Sequence, residues 1–196
     1  MLPLLYIIRH GQTAWNVEER LQGQADTDIN AVGQVQADRN GIRLADLLNH
    51  DADGFDFVAS PLRRTRETME RVRAGLGLPR EGYRTDPRLM ELNFGDWQGF
   101  TYAELEAAEP GCTAGRSSDK WGFVPPGEAA ESYEALAERV KPWLEEVEGP
   151  TVCVTHGGVI RSLLYLTGHA SSDEAAALAI PQDRILRFDN GAADWL

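Results

Sequence analysis

The chain has 196 residues, with 31 Asp plus Glu against 19 Lys plus Arg and a formal net charge of −12 at pH 7. That balance excludes a general affinity for nucleic acid or an anionic membrane, and any site for an anion must be locally basic. Hydrophobic residues at 42% and charged residues at 26% are ordinary globular usage, which excludes disorder and predicts one compact α/β domain over 1–196 with one core.

The opening segment Met1 to Ile8 carries no basic leader and is broken by Pro3, so it predicts neither export nor membrane insertion. Within it, Leu4 to Ile8 is a short apolar run bounded by polar residues, the pattern of a buried strand, with His10 emerging at its carboxyl end. Residues 31 to 49 read as a helix: Asn30 is a suitable N-cap, and Val32, Val35, Ile42, Ala45 and Leu48 recur at roughly helical intervals, although Gly41 weakens the pattern. Phe55 to Ala59 is the next strand, followed by a helix that Ser60 and Pro61 open and that runs to about Gly75. Residues 79 to 100 read mostly as loop, with a short strand near Tyr83 to Thr85.

Thr101 to Ala108 predicts a short helix and Pro110 to Gly127 a loop. Tyr133, Leu136, Val140, Trp143, Leu144 and Val147 mark the apolar stripe of a long helix with a kink expected at Pro142. Thr151 to Thr155 is a strand ending in His156; Gly157 and Gly158 then lead into a buried helix, Val159 to Leu166, and Arg184 to Phe188 is a late strand. Cys153 falls in that fourth apolar run, where a buried thiol is expected. With Cys112 it makes only two cysteines, too few for a disulfide framework or a cysteine metal cluster, which suits a reducing cytoplasm. No apolar run approaches membrane-spanning length. Strands alternating with helices predict a mostly parallel sheet with helices on both faces, and ligands gather beyond the strand carboxyl ends. His10 and His156 both sit at such ends.

A phosphate monoester is a dianion, so its pocket must converge cations and backbone donors while a nucleophile waits in line. In Arg9-His10-Gly11 a neutral imidazole nitrogen can attack phosphorus, and Gly11 lets backbone come close. Ser60-Pro61-Leu62-Arg63-Arg64-Thr65 sets cations at a helix N-terminus, where one arginine can clamp phosphate and Arg63 reads better as a solvated surface residue. In Thr155-His156-Gly157-Gly158 the glycine amides can face a bound anion and a protonated His156 can steady the transferring group. Glu91, in Arg88-Leu89-Met90-Glu91-Leu92-Asn93-Phe94-Gly95, can protonate the leaving oxygen and then activate water. Taken singly, each fragment also reads as an ordinary turn or surface residue. Their combination carries the argument.

That combination resembles the histidine phosphatase superfamily, in the branch that holds cofactor-dependent phosphoglycerate mutases, fructose-bisphosphatases and small broad-specificity phosphatases. The likeness begins with Ile8-Arg9-His10-Gly11-Gln12-Thr13-Ala14-Trp15-Asn16 and continues through Arg20-Leu21-Gln22-Gly23 and Ser60 to Thr68. Glu91 with Gly95, Trp97 and Gly99, and then Val154 to Arg161, complete it, so that it spans about residues 4 to 168. The resemblance implies a three-layer α/β/α sandwich with a small lid at about 97–130, and a phosphomonoester hydrolase working through a phosphohistidine on a small phosphorylated metabolite. It assigns His10, Glu91, His156, Arg9 and Arg64 to catalysis, with Arg64 rather than Arg63 as the clamp. Asn16, Gln22 and Gly157 are assigned to substrate binding, with no metal and no cofactor. Arg116, Lys120 and Trp121 become candidate specificity residues. Thr65, Gln12 and Ala130 depart from the family's usual residues, and Ala130 bears on lid geometry. Two rivals share the motifs: a phosphoglycerate mutase, disfavoured because residues 100–130 hold only Arg116 and Lys120 as cations, and a catalytically dead phosphate-binding or scaffold protein. His50 and His169 read as exposed histidines without a role, and Trp15 and Trp97 as packing residues. The natural substrate and the choice between monomer and homodimer stay open.

Overall fold

The computed structural model describes residues 2–196, so that Met1, where the reading of the opening segment begins, lies outside the described residues. The chain opens with β1 (Leu5–Arg9), the one-turn α1 (Ala14–Val17) and the long α2 (Ala31–Leu47). β2 (Asp56–Ala59), α3 (Arg63–Gly75) and β3 (Arg84–Thr85) follow, and α4 (Tyr102–Ala108) and α5 (Ala114–Ser118) lie in the connection to α6 (Tyr133–Glu145). β4 (Thr151–Thr155), α7 (Gly157–Leu166), α8 (Ser172–Ala177), β5 (Ile185–Asp189) and β6 (Ala192–Trp195) complete it. The strands form one sheet in the order β3-β2-β4-β1-β5-β6. It is parallel from β3 to β1, while β5 and β6 pair antiparallel at its far edge.

Alternation along the strands builds two cores, because successive side chains leave a strand on opposite faces. Leu5 and Ile7 join Cys153 and Leu186 beneath Leu136 and Val140 of α6 and Ile160 and Leu163 of α7. Tyr6 and Ile8 join Val152 and Val154 against Leu44 of α2 and Met69 and Val72 of α3. The molecule is therefore the expected three-layer α/β/α sandwich around a mostly parallel sheet.

Three local expectations are corrected. The buried face of α2 is Gly33, Ala37, Asn40, Gly41, Leu44 and Ala45, while Val32, Val35 and Ile42 are 53%, 48% and 59% exposed. Close approach decides this: a methyl on Gly41 would lie 2.8 Å from the Val72 carbonyl oxygen, and one on Gly75 would lie 2.7 Å from the Gly41 carbonyl carbon. Small residues, rather than large apolar ones, thus let α2 and α3 pack backbone to backbone. α3 begins at Arg63, because Ser60 prolongs β2, donating its N–H to the Val154 carbonyl at 3.0 Å, and Pro61 stands outside the helix. The segment 110–127 contains α5. Finally, α1, α8 and β6 are each too short for periodicity to reveal.

Candidate active site

The strand order explains why residues far apart in sequence meet. β1 and β4 are parallel neighbours with Arg9 opposite Thr155, so the chain leaves both at the same level. The His10 N–H donates to the Thr155 carbonyl at 2.9 Å, and the rings of His10 and His156 lie 5.2 Å apart between centroids. β2, on the other side of β4, ends with Ala59 opposite Val154 and delivers Arg64, fully buried in the first turn of α3. Glu91 comes from the loop after β3. Its carboxylate accepts the Gly158 N–H at the start of α7, at 3.0 Å to Oε1 and 3.1 Å to Oε2, and the Leu92 N–H at 2.9 Å.

A pocket of about 130 Å³ is lined by Arg9, His10, Asn16, Gln22, Arg64 and Glu91, together with Arg20, Leu21, Gly23 and Phe94. His156 is fully buried behind His10 rather than in the pocket wall. Gly157 also stays out of the wall, but a methyl placed on it would lie 3.6 Å from Arg9 Nε. A larger groove of about 530 Å³, lined by residues such as Leu144, Leu166 and Phe188, has no Lys or Arg in its wall and offers nothing to an anion.

Electrostatics suit the small pocket to a dianion. His10 Nδ1 lies 2.8 Å from the Gly11 carbonyl oxygen. A carbonyl can only accept, so Nδ1 carries the proton and Nε2 keeps a free lone pair. Burial, then the charges of Arg64 and Arg9, hold His10 well below the usual imidazole range. Burial and the same two arginines, with His10 itself, do likewise to His156, whose Nε2 is 2.8 Å from Ser60 Oγ. The charged form of both rings is thus disfavoured, so the protonated His156 expected from the sequence would need the charge of a bound anion beside it. Backbone carbonyls fix the guanidinium groups, Arg9 Nη1 on Ile180 at 2.7 Å and Arg64 on Ala25 and Gly23 at 2.7 Å each. The Nε atoms of both are buried without a partner among the described residues. Burial, partly offset by Glu91 and Asp26, pushes Arg64 down to about 10. An anion entering here satisfies donors and relieves desolvated cations at once.

The reading of the Gly158 amide needs revision, whereas Gly11 does bring backbone close. The Gly158 amide is taken by Glu91, so the N-terminus of α7 seats the acid rather than the anion. Gly11 is required for packing, since a methyl there would run into the Gly33 backbone of α2.

The depressed histidines carry a stability consequence. In the unfolded chain both rings protonate near the ordinary imidazole value of 6.5, whereas the folded rings stay neutral to lower pH. The unfolded state therefore binds more protons below that value, and stability falls as pH drops from about 6.5, by up to ~1.4 kcal/mol per pH unit for each ring. Urea unfolding of the ligand-free protein between pH 7 and 5 should show this fall, and it should shrink in the presence of phosphate, which favours the charged rings.

Several supporting contacts carried no signal in the sequence. Gln182 donates to the His10 carbonyl at 3.1 Å and to Asn16 Oδ1 at 3.0 Å, from a segment without motif or periodicity. Asn16 Oδ1 also accepts from Thr13 N at 3.0 Å, leaving its Nδ2 as the donor toward the pocket. Gln22, 7% exposed, uses Oε1 to accept from Thr27 Oγ1 at 2.9 Å. Arg20 reaches the pocket wall while paired with Glu18 and Glu104 at 2.6 Å each. Arg63 is exposed on Asp28, as expected of it.

Arg139 is the most consequential addition. Its Nη1 donates to the carbonyls of Arg88 at 2.8 Å and Met90 at 3.0 Å, its Nη2 donates to that of Glu91 at 3.2 Å, and Glu131 pairs with it at 2.7 Å. One rigid fork thus fixes the backbone that carries Glu91. Arg139→Leu is expected to lower kcat about 10²-fold while changing KM far less, since misplacement of a catalytic group costs rate rather than binding. Arg139→Lys keeps the charge without the fork and should recover only part. Steady-state kinetics on folded protein, checked by circular dichroism, decides.

The candidate lid residues are placed differently from one another. Trp121 is 8% exposed and packs on Tyr133 and Tyr165 at 5.7 and 4.6 Å, outside the wall of the small pocket. Arg116 is 4% exposed with its guanidinium carbon 5.2 Å from the ring of Phe94, a wall residue. Lys120 is exposed.

The model of the family described as histidine phosphatase superfamily (branch 1) matches residues 5–195. A glucosyl-3-phosphoglycerate phosphatase of Mycobacterium tuberculosis is 36% identical over 169 residues, covering 81% of this chain and 72% of that protein. A probable phosphoglycerate mutase of Erwinia tasmaniensis is 30% identical over 200 residues, covering 98% of this chain and 87% of that one. The native structure of mycobacterial glucosyl-3-phosphoglycerate phosphatase superposes with a TM-score of 0.76 at 30% identity, over 95% of this chain and 90% of that chain.

Proposed function

The chain belongs to the histidine phosphatase superfamily, and from that premise we propose that the His10 pocket hydrolyses a small phosphorylated metabolite without a metal. In the first step His10 Nε2 attacks phosphorus in line, the ester P–O bond breaks, and the Glu91 carboxyl gives its proton to the leaving oxygen. In the second, Glu91 takes a proton from water, which attacks the phosphohistidine, breaks the P–N bond and releases inorganic phosphate. Arg9, Arg64 and Asn16 hold the phosphoryl oxygens, and His156 behind them takes up positive character as charge develops. The observation that carries this reading is the convergence of a free His10 Nε2 with buried, unpartnered arginine donors around one small pocket.

The pocket admits little more than the phosphoryl group, so the rest of the substrate projects past Phe94 toward residues 97–130, which we take as the lid of a single domain. The mutase reading shares every step but the last, and the likeness to a probable phosphoglycerate mutase keeps it in play. We place the enzyme in the cytoplasm as a monomer or homodimer without nucleic-acid or membrane partners. Two cysteines outside any disulfide support this, as does the lack, among the described residues, of a helix long and apolar enough to cross a membrane.

Release of inorganic phosphate from p-nitrophenyl phosphate is the test. Turnover should survive EDTA, because the arginines supply the charge that a metal would otherwise provide, and vanadate should block it. Loss of turnover with EDTA overturns the metal-free part. Conversion of 3-phosphoglycerate to its 2-isomer faster than phosphate release would favour the mutase.

A further inference from the structure

The segment between α8 and β5 carries no motif, yet it braces two sides of the phosphate pocket. The Ile180 carbonyl accepts from Arg9 Nη1 at 2.7 Å, and the Gln182 carbonyl accepts at 3.1 Å from Nδ2 of Asn40, which is buried in α2. So anchored, the half-buried Gln182 reaches the loop that follows β1. Its Nε2 donates to the His10 carbonyl at 3.1 Å and to Asn16 Oδ1 at 3.0 Å.

Obligate donors and acceptors decide how both amides are turned. The His10 carbonyl can only accept, so the Gln182 atom beside it is the nitrogen, and both of that nitrogen's hydrogens are committed. The Thr13 N–H can only donate, so the Asn16 atom 3.0 Å from it is oxygen. Asn16 Oδ1 thereby takes donors from two elements, one at the start of α1 and one 166 residues further along the chain, and Nδ2 is left for the pocket that Asn16 lines. A donor from Thr13 alone would let the amide pivot about that bond. The second donor fixes its plane, and a hydrogen bond to an anion depends steeply on that angle.

We propose that Gln182 is a positioning residue for the phosphatase reaction: it locks the Asn16 side chain so that Nδ2 meets a phosphoryl oxygen. This rests on the phosphatase reading, in which Asn16 holds the phosphoryl group. Gln182 itself stands outside the pocket wall and acts through Asn16. Because one nitrogen holds both Asn16 and the His10 carbonyl, it also keeps that donor in register with the nucleophile's backbone.

The experiment is a double-mutant cycle read by calorimetric Kd for inorganic phosphate, or for tungstate where phosphate binds too weakly to measure. The proteins are the wild type, Gln182→Met, Asn16→Ala and the double variant. Methionine keeps the length of the side chain and removes both donors. Gln182→Met should weaken the oxyanion about fivefold in the wild-type background. In the Asn16→Ala background the same change should cost no more than about twofold, because no amide is left to aim. A brace that merely supports the fold would cost the same factor in both. Misfolded protein lowers the calorimetric stoichiometry and leaves Kd as it is. A Kd untouched by Gln182→Met, or an equal loss in both backgrounds, overturns the inference and leaves the phosphatase reading standing. Wild type that binds neither oxyanion also overturns the inference, and the phosphatase reading falls with it only if p-nitrophenyl phosphate is not hydrolysed either.

Discussion

His10→Ala should lower kcat by roughly 10⁴-fold or more, because His10 carries the one imidazole among the residues lining the pocket. Its ring is 3% exposed and held by a bond to the next residue's carbonyl, so the side chain ties no distant elements together. The join between β1 and β4 at this point is made by the His10 N–H, which alanine keeps. The variant should therefore fold, and its loss should be chemical. Rapid quench with a radiolabelled ester should trap an acid-labile, alkali-stable phosphoenzyme in the wild type and none in the variant. A variant that kept most turnover and still trapped such a species would remove His10 from the mechanism.

Glu91→Gln should cost about 10²–10⁴ in kcat on an alkyl phosphate, the usual contribution of a placed acid and base. The amide matches the carboxylate in shape and can still accept the Gly158 N–H that seats it at 3.0 Å, so geometry changes little while the transferable proton is lost. The two half-reactions should then separate. p-Nitrophenolate leaves without needing a proton, so phosphorylation of His10 should persist, whereas attack by water needs the base and should stall. The expected record is a burst of nitrophenolate stoichiometric with enzyme, followed by a slow steady rate. Equal losses on aryl and alkyl esters with no burst would take the acid–base role away from Glu91.

Much of the architecture was legible because it depends on local patterns. The continuous apolar runs around Ile7 and Val152 read as buried strands, and they are the central pair β1 and β4. The stripe from Tyr133 to Leu144 read as a helix, and it is α6. The pattern misled at α2, where its large apolar residues face solvent and its glycines face the core. Hydrophobic periodicity registers bulk, while two backbones in contact select for the lack of it. The pocket gathers Arg9, His10, Asn16, Gln22, Arg64 and Glu91, which the motifs had named. Motifs did not name Gln182 or Arg139, whose importance lies entirely in what they touch.

By itself, then, the sequence determined the layers, the strands whose ends bear histidine, and the residue types able to meet a dianion, since each follows from neighbours along the chain. Tertiary structure alone decided that β4 lies between β1 and β2, bringing residues 10, 64 and 156 to one sheet end. It also decided that burial and neighbouring arginines disfavour the charged form of both imidazoles, that Gly158 holds the acid, and that Arg116 and Arg161 each approach the Tyr133 ring. Charge state and contact depend on desolvation and on groups scores of residues away, and no pattern of adjacent residues encodes those distances.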